Sequence, residues 1–573
     1  MEWQLYPKAP KEFFEEFPEH SPEILQLLWN RGIKTQKEIE RFFYPDYEKL
    51  YDPFLMKGVR ELEKEIGNII KKKKKIGIFT DFDVDGITSA AIFIETLLCL
   101  GFPKKLISLY IPNREKEGYG VNENGVNFLA SQGSKVFITI DCGISNVKEI
   151  ELARQLGMKP IIIDHHEIPK KLPRADIIVN PLQKGDKYPD KELAAGGITF
   201  KIAQALFASL KIKNQKLNIK NRETEKQFLD LATLATIADC CPLLGENRVL
   251  VNCGLGILRR TKRAGLEEII RFFRIEKSRL GVFDVSHKIA PLLNSASRMD
   301  HASNAYKLIT TDSILEAAYL TKKLSEKNRQ RQQASRKILA EVDQKISKYK
   351  KMPKIIVERD EGWPLTLAGL IAAKVLEKYV RPTVIFKMEK DISQSSSRSL
   401  PGLDMVKVFE KCSQYLERFG GHPLAAGCTV KNENFEKLKA CFEQNVEKEL
   451  AGRNLSPILE IEMELKSENI NLDFYNEIKK FAPFGVKNPK PKFLIKNLVI
   501  EDIKKVGKNE KHLRLLLKLS GKKFVKGILF GAPDHFNDLK EGRTIDLVFE
   551  LEIDEWNGCR ELLLKIIDLK PCE

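Results

Sequence analysis

The chain has 573 residues, 43% of them hydrophobic and 31% charged, with a formal net charge of +17. This length exceeds a single hydrophobic core and predicts about three or four domains. The basic balance makes a polyanion the expected partner, nucleic acid before membrane. The N-terminus lacks a signal-peptide pattern, and no stretch approaches about 18 consecutive apolar residues. We therefore expect no membrane association and a cytoplasmic location.

The cysteines indicate whether the chain is expected to bind structural zinc or to form disulfides. The ten cysteines are scattered along the chain, and none of them form a CxxC pair. Structural zinc sites usually draw their ligands from such closely spaced pairs. A zinc ribbon is therefore not expected, and the thiols are predicted to be reduced.

The N-terminal half divides into two predicted parts. Residues 1–55 carry apolar residues at helical spacing and are predicted to form a helical extension. Residues 56–310 alternate helical segments with short β-branched runs such as "KKIGIFT", "KVFITID" and "KPIIIDHH". Continuous apolar runs of this length are typical of parallel strands that are buried on both faces. This part is predicted to be an α/β domain with a parallel sheet.

The remainder of the multidomain α/β chain divides into three parts. Residues 311–348 contain no Gly or Pro and are dense in charge, which predicts a long connector helix or, equally well, a pair of surface helices. Residues 349–452 alternate again, from "PKIIVERD" to "RPTVIFK", and predict a smaller α/β domain. Residues 453–573 carry short strand patterns separated by turns, which suits a small OB-like β domain.

Acids and histidines follow three predicted strands at the point where each strand ends. They are Asp81, Asp83 and Asp85 after the first strand, Asp141 after "KVFITI", and Asp164, His165 and His166 after "KPIII". Ligands of an open parallel sheet bind beyond the carboxyl ends of its strands. One such aspartate alone would fit a helix N-cap, but three coinciding strand ends indicate a site. Asp239, which closes the apolar run "LATLATIAD", is expected to reach the same edge.

Crowded carboxylates need a compensating charge. Without one they take up protons or destabilise the fold, whereas a divalent cation compensates them. Oxygen-rich ligand sets with one or two imidazoles suit Mn²⁺ or Mg²⁺. Two such ions about 3.5–4 Å apart are the usual machinery of phosphoryl-ester hydrolysis. The residues alone therefore predict a metal-dependent phosphoesterase.

A family resemblance extends this prediction. "DFDVDG", "IPNREKEGYG", "TIDCGIS", "DHH" and "LATIADCCPLLGENR" resemble the successive motifs of the DHH phosphoesterase family, and "RFGGHPLAAG" resembles its associated C-terminal domain. "FAPFGVKNPKPKF" and "ELEIDEWNGCRELLLKIIDL" are similar to the final domain of the RecJ family of bacterial single-stranded-DNA-specific exonucleases. The ordered set spans nearly the whole chain and is far more specific than the DHH triplet alone.

The resemblance implies roles for individual residues. It implies metal ligation by Asp83, Asp85, Asp141, His165 and Asp239, with Asp81 and His166 as catalytic support. It implies contacts to the DNA strand and its phosphates by Arg114, Tyr119, Arg298, Ser396, Arg398 and His422. The chemistry agrees, because arginine forks and hydroxyls suit phosphate oxygens and a tyrosine can stack on a base. Tyr119 fits a packing role in a turn nearly as well.

Two stretches depart from the usual family pattern. "APLLNSASRMD" places Leu292 at the usual Arg and Ser297 at the usual Gly. "GWPLTLAGLIAAK" places Pro364 at the usual His and Thr366 at the usual Gly. Neither change touches the metal set. Both fall where substrate phosphates are expected, so they bear on affinity or end selectivity, or they are neutral.

The expected function is hydrolysis of single-stranded DNA from its 5′ end to mononucleotides, with Mn²⁺ or Mg²⁺ as cofactor, in DNA repair and recombination. The alternatives are a phosphodiesterase of short oligonucleotides or cyclic dinucleotides and a non-catalytic DNA-binding scaffold. A family II pyrophosphatase would carry a histidine where Phe79 stands. Further expected partners are a single-strand-binding protein and a helicase, and the chain is expected to be a monomer.

Overall fold

The computed structural model describes residues 2–209, 221–453, 455–507, 510–519, 523–531, 536, 539–556 and 559–572. The chain divides into two compact units. Unit 1 combines residues 1–50, 240–253 and 457–573, and unit 2 combines residues 51–239 and 254–456. Strands β1–β18 and helices α1–α20 are numbered along the chain.

A five-stranded parallel sheet is the centre of the first α/β domain in unit 2. Its strands are β2 (Ile76–Thr80), β3 (Ile107–Tyr110), β4 (Val136–Ile140), β5 (Lys159–Ile163) and β6 (Ile177–Val179). They lie in the order β3-β2-β4-β5-β6, and every pairing is parallel. Both β2 and β4 are buried along their whole length, which confirms the inference from their continuous apolar sequences.

Helices cover this sheet and extend the domain. They are α4 (Val59–Lys72), α5 (Val84–Cys99), α6 (Glu123–Ser131), α7 (Val147–Gln155), α8 (Ala195–Ser209), α9 (Asn221–Lys226), α10 (Leu229–Ala238), α12 (Ala264–Phe272), α13 (Val282–Asp284), α14 (Ala290–Met299) and α15 (Ser303–Thr310). α5, α8 and α10 are buried almost all round and pack on one another, as helices without a polar face must.

One helix, α16 (Ile314–Ile346), runs for 33 residues, which confirms the predicted connector helix. Ser313 caps its N-terminus by accepting a hydrogen bond from the Glu316 N–H. No helix among the described residues has the length and apolar content needed to cross a bilayer.

The second α/β domain of unit 2 is built on a mixed sheet. Its strands are β7 (Ile356–Asp360), β8 (Thr383–Met388), β9 (Ile392–Arg398), β10 (Leu416–His422) and β11 (Ala425–Lys431), in the order β10-β11-β9-β8-β7. Its helices are α17 (Leu365–Tyr379), α18 (Met405–Lys411) and α19 (Phe435–Glu449). A disulfide joins Cys412 to Cys441, so the prediction of reduced thiols is wrong for this pair. The two residues are 29 positions apart, and only folding brings their Cα atoms to 6.1 Å.

Unit 1 contains a closed β-barrel. Its strands β14 (Phe493–Val506), β15 (His512–Lys518), β16 (Phe524–Leu529), β17 (Thr544–Trp556) and β18 (Cys559–Pro571) close in the order β14-β15-β16-β18-β17-β14. Only the β16–β18 pairing is parallel among these five contacts. This five-stranded barrel confirms the predicted OB-type fold.

The N-terminal residues belong to the same unit as the barrel. Unit 1 also holds β1 (Glu2–Leu5), α1 (Lys11–Glu16), α2 (Pro22–Asn30), α3 (Gln36–Phe43), β12 (Ile458–Ile461), β13 (Met463–Glu464), α20 (Leu472–Lys479) and the start of α11 (Gly245–Leu258). β1 pairs with β12 in parallel, and the helices share one hydrophobic core with the barrel. The predicted extension is therefore helical, but the first strand and the shared core were not predicted.

Arg248 ties these parts of unit 1 together. Its buried guanidinium donates hydrogen bonds of 2.8–3.1 Å to the carbonyls of Phe42, Lys480, Phe481 and Ala482. The four acceptors come from the end of α3 and from the loop after α20. One side chain therefore supplies donors to four carbonyls, of which, among the described residues, only that of Phe481 also accepts a hydrogen bond from another side chain, Asn488.

We expect Arg248→Met to destabilise unit 1 by about 3 kcal/mol, because it leaves several buried carbonyls without donors. Differential scanning calorimetry would show this as an earlier transition. Arg543→Met is the matched control, since Arg543 is exposed in the same unit. Equal melting of the two variants would contradict the structural role of Arg248.

Candidate metal centre

The predicted acidic residues lie together at the carboxyl edge of the parallel sheet. β2 leads into Asp81 and Asp83, β4 into Asp141, and β5 into Asp164 and His165. Because β2, β4 and β5 are adjacent and parallel, their ends meet at one place. The structure therefore brings the predicted acids and His165 together at this edge.

The turn from β2 to α5 sets the first group of acids. Asp83 is the N-cap of α5 and accepts a hydrogen bond from the Gly86 N–H at 3.0 Å. The helix begins at Val84, so Asp85 lies in its first turn. A Cβ at Gly86 would lie 2.5 Å from the Asp81 carbonyl oxygen, so only glycine fits this close turn.

The start of α8 holds the Asp85 carboxylate in place. Its two oxygens accept hydrogen bonds from the Ala195 N–H at 2.9 Å and the Gly196 N–H at 2.8 Å. Amides at a helix N-terminus suit an anion. They fix the carboxylate while leaving its remaining lone pairs available to a cation.

His165 lies between three of the acids. Its Nε2 is 3.2 Å from Asp141 Oδ1 and 3.7 Å from Asp85 Oδ2, and its Nδ1 is 3.8 Å from Asp239 Oδ2. Asp141 has a φ of 61°, a left-handed conformation that few residues other than glycine adopt. A strained backbone at the end of β4 is typical of a functional site.

The potential ligand atoms form three overlapping groups. The groups are Asp85, His165 and Asp239; Asp81, Asp83 and Asp141; and Asp141, His165 and His166, with the ligand atoms of each group within 4.8 Å of one another. All five predicted ligands are included. Asp81 and His166, predicted as catalytic support, also offer ligand atoms. Asp141 is the one residue that the second and third groups have in common. A carboxylate shared between two groups of ligands suits a pair of neighbouring ions.

The electrostatics of the acids call for a cation. Burial, reinforced by neighbouring carboxylates, raises the pKa of Asp81, Asp85 and Asp141 well above the usual range. The Oδ1 atom of Asp81 is also buried without a hydrogen-bond partner. A divalent cation would supply both the missing charge and the missing partner. The residues therefore fit Mn²⁺ or Mg²⁺ in donor type and in electrostatics.

The two histidines differ in protonation. Burial, with the charge of His166, lowers the pKa of His165 to about 4, so its ring is in the neutral form that binds metal. Burial also disfavours the charge of His166, but the 2.7 Å hydrogen bond from its Nδ1 to Asp164 and the Asp164 charge outweigh this and raise its pKa to about 9. Asp164 also accepts a hydrogen bond from the Ile144 N–H. Sequence reasoning assigned Asp164 no separate role.

Two predicted DNA-binding residues contact His166. The Tyr119 hydroxyl lies 3.0 Å from His166 Nε2, and its side chain is 58% exposed. His422, at the end of β10, places its ring 6.1 Å from that of His166 in a stacked orientation. The structure thus brings residues of both α/β domains to the edge of the metal centre.

The predicted phosphate-binding residues form a second group. Ser396 and Arg398 are two positions apart on β9, so their side chains lie on the same face of the strand. Gly369 of α17 has no Cβ, which leaves space for both side chains. Arg298, at the end of α14, donates a 2.9 Å hydrogen bond to the Thr366 carbonyl. Burial, together with nearby arginines including Arg398, lowers the pKa of Arg298 to about 9.

Arg114 links this group to the acids. Its guanidinium lies 4.8 Å from the centre of the Phe82 ring. Burial lowers its pKa, while the charges of Asp81 and Asp83 oppose that shift. It also contributes to the lowered pKa of Arg298. Positive and negative groups therefore adjoin within unit 2.

The departures from the family pattern have structural roles. Leu292 is fully buried in α14, and Ser297 donates a hydrogen bond to the Asn294 carbonyl. Pro364 is the N-cap residue of α17, and the Thr366 hydroxyl donates a hydrogen bond to the Arg298 carbonyl. The Asn294 side chain in turn accepts a hydrogen bond from the Val84 N–H, at the start of α5.

We expect Asp141→Asn to have opposite effects with and without metal. In metal-free protein the neutral amide removes carboxylate repulsion, so the melting temperature should rise by about 2 °C or more near neutral pH. The sign follows from the raised pKa, since the ionised form of Asp141 costs folding free energy once the pH exceeds the unfolded value. The stabilisation that wild type gains from added Mn²⁺ should shrink in the variant.

The matched control is Asp391→Asn, because Asp391 is exposed in the same unit. Differential scanning fluorimetry with EDTA and with Mn²⁺ checks both effects. An unchanged Mn²⁺ response in Asp141→Asn would remove this residue from the metal set.

Comparison with known proteins places these features in one family. Residues 75–236 match the N-terminal domain of the DHH family, residues 352–448 the DHHA1 domain, and residues 461–568 the RecJ OB domain. Three separate domain matches therefore lie in the order that the sequence motifs indicate.

Individual relatives match nearly the whole chain. The single-stranded-DNA-specific exonuclease RecJ of Bacillus subtilis is 33% identical over 555 residues, 96% of this chain and 68% of that protein. The same-named protein of Haemophilus influenzae is 29% identical over 566 residues, 96% of each chain. A crystal structure of Thermus thermophilus RecJ in complex with Mn²⁺ gives a TM-score of 0.83 at 25% identity, covering 100% of this chain and 80% of that one. This chain therefore belongs to the RecJ family of DHH phosphoesterases.

Proposed function

We propose that this protein is a metal-dependent exonuclease that degrades single-stranded DNA in the 5′ to 3′ direction to mononucleotides, in DNA repair and recombination. The observation that carries the proposal is the pairing of two buried charge clusters in unit 2. The acids at the sheet edge require cations, and the adjoining arginines require an anion. A phosphodiester bound to divalent metal supplies both charges.

The ligand set that we propose is Asp83, Asp85, Asp141, His165 and Asp239, supported by Asp81 and His166. Two Mn²⁺ or Mg²⁺ ions bound there would polarise the scissile phosphate and lower the pKa of an attacking water. The protein orients this set through the α8 amides on Asp85 and through the neutral form of His165. Asp164 holds the proton of His166 on Nδ1 and keeps its positive charge beside the site.

We assign strand binding to the groups that surround the metal centre. Arg298, Arg398 and Ser396 offer guanidinium and hydroxyl donors for phosphate oxygens, and Arg114 joins them beside the acids. The exposed ring of Tyr119 is placed to stack on a base. His422 offers a ring nitrogen near His166.

The proposal includes the division of labour along the chain. We assign residues 1–55 to an N-terminal extension, 56–310 to the phosphoesterase domain, 311–348 to the connector, 349–452 to the DHH-associated domain and 453–573 to the nucleic-acid-binding OB domain. The barrel supports single-strand binding, since its fold is widely used for that purpose. We further propose a cytoplasmic monomer that acts with a single-strand-binding protein and a helicase.

A labelled-strand assay tests the activity and its direction. The protein with Mn²⁺ is given a 5′-phosphorylated single strand that carries a fluorophore at its 3′ end. We expect mononucleotides and a ladder of shortened labelled strands, because 5′ to 3′ removal keeps the label on the remaining chain. Immediate release of a labelled mononucleotide would instead show 3′ to 5′ removal and overturn the proposed direction.

Substrate arms separate the alternatives. Duplex DNA, a dinucleotide and pyrophosphate are tested beside the single strand, and EDTA should abolish every activity. Activity on the dinucleotide alone would indicate an enzyme of short oligonucleotides. Binding of the strand without hydrolysis of any substrate would indicate a scaffold.

We expect Arg298→Ala to weaken strand binding about tenfold or more while leaving metal content unchanged, because it removes a phosphate donor and no ligand. Fluorescence anisotropy with EDTA measures the DNA affinity, and metal analysis of the Mn²⁺-loaded protein measures occupancy. Loss of metal from this variant would contradict the assignment.

A further inference from the structure

The buried face of α16 is apolar towards both ends of the helix and polar in the middle. Residues at alternating spacings of three and four face inward, and they are apolar at Leu324 and again at Ile338. Between them the same face carries Asn328, Arg331 and Ser335. Asn328 is 8% exposed and Ser335 is 1% exposed. A buried polar stretch between two apolar ones needs a polar neighbour.

Contacts on either side locate this polar stretch. On the N-terminal side, the Ser295 hydroxyl of α14 donates a 3.1 Å hydrogen bond to the Leu324 carbonyl. On the C-terminal side, Ile338 shares a hydrophobic core with Leu367 of α17. α14 and α17 also contact each other, through the hydrogen bond from Arg298 to the Thr366 carbonyl. The polar stretch of α16 therefore spans the junction where the phosphate-binding arginine lies.

Four arginines converge at this junction. Burial lowers the pKa of Arg298, and the charges of Arg114, Arg331 and Arg398 lower it further, so each of these three guanidinium groups lies near Arg298. None of the four forms an ion pair with a carboxylate among the residues that the structure describes. Arg331 donates through Nε and Nη2 to Asn328 Oδ1, at 3.1 and 2.9 Å.

This hydrogen-bond pattern leaves donors available. Both bonds of Arg331 go to one neutral amide oxygen, so its other N–H groups are open to an anion. The Ser335 hydroxyl, one helical turn away, is buried without a hydrogen-bond partner. Nothing else in the described part of the chain neutralises Arg331. An anionic acceptor would satisfy these open Arg331 donors and balance its charge.

We propose that Arg331 is a further DNA-binding residue, which binds a phosphate group of the single strand together with Arg298 and Arg398. The inference rests on the proposed nuclease function and adds the connector helix to its substrate-binding surface. Asn328 orients the Arg331 fork for this contact. The ligand is either the terminal 5′-phosphate or an internal phosphodiester, which share this chemistry.

Binding measurements without turnover test the proposal. Wild type, Arg331→Gln and the control Arg329→Gln are titrated in EDTA with fluorescent single strands at several salt concentrations. Arg329 lies on the same helix with a side chain that is 61% exposed, and it pairs with Glu326. We expect Arg331→Gln alone to weaken binding about tenfold and to reduce the salt slope by about 0.7. Wild-type affinity and slope in Arg331→Gln would overturn the proposal.

Two arms identify the phosphate. The affinity of Arg331→Gln is compared for 5′-phosphorylated and 5′-hydroxyl strands. If the variant loses affinity only for the phosphorylated strand, Arg331 contacts the terminal phosphate. An equal loss on both strands assigns it to an internal phosphodiester. Either result supports the proposal.

Kinetic and folding measurements distinguish DNA binding by Arg331 from a purely structural role. In Mn²⁺ we expect Arg331→Gln to raise KM while kcat stays within about twofold, since the residue binds the strand and no metal. Melting curves confirm folding, and Arg331→Met replaces the Gln variant if that one unfolds. If neither neutral variant folds, Arg331 is a structural residue and the proposal fails. Wild type that does not degrade single strands would sink the proposed function itself, whereas an active wild type with unchanged Arg331 variants would sink only this inference.

Discussion

Repulsion between like charges is the constraint on which the rest of the site depends. Three parallel strands and the end of α10 deliver carboxylates to one buried edge, where burial raises the pKa of Asp81, Asp85 and Asp141. Such an arrangement opposes folding unless cations offset it. The fold tolerates it because the surrounding helices are apolar and tightly packed, so the acids are held where they could not gather in an unfolded chain.

Repulsion between like charges also constrains the arginines, whose charges are positive. Arg298 and Arg331 come from helices that pack on one another, and Arg398 comes from the second sheet. Each is held by neutral oxygens, which orient a guanidinium without cancelling its charge. A phosphodiester between a metal cluster and an arginine cluster would relieve both repulsions at once. Under the proposed function, substrate binding and site stability would therefore be two aspects of one charge balance.

Sequence reasoning reached the acids because they follow short apolar strands, and parallel strands must end at a common edge. It could not reach Asp164 as the partner of His166, because a side-chain hydrogen bond between neighbours leaves no periodic signal. The barrel was predictable from strand spacing, whereas the pairing of β1 with β12 joins residues more than 450 positions apart. Position 412 and position 441 likewise meet only through the packing of α18 and α19.

The connector helix α16 has features that its sequence pattern predicts and one feature that only the packing shows. Its length follows from the absence of Gly and Pro, and its inward face follows from the three-four spacing. The polar residues on that face look, in sequence alone, like a solvated surface, because charge is dense all round the helix. Only the packing of Leu324 on α14 and of Ile338 beside α17 shows that Arg331 faces inward. The helix that joins the two α/β domains therefore also places a polar stretch beside α14 and α17, and this stretch distinguishes it from a simple spacer.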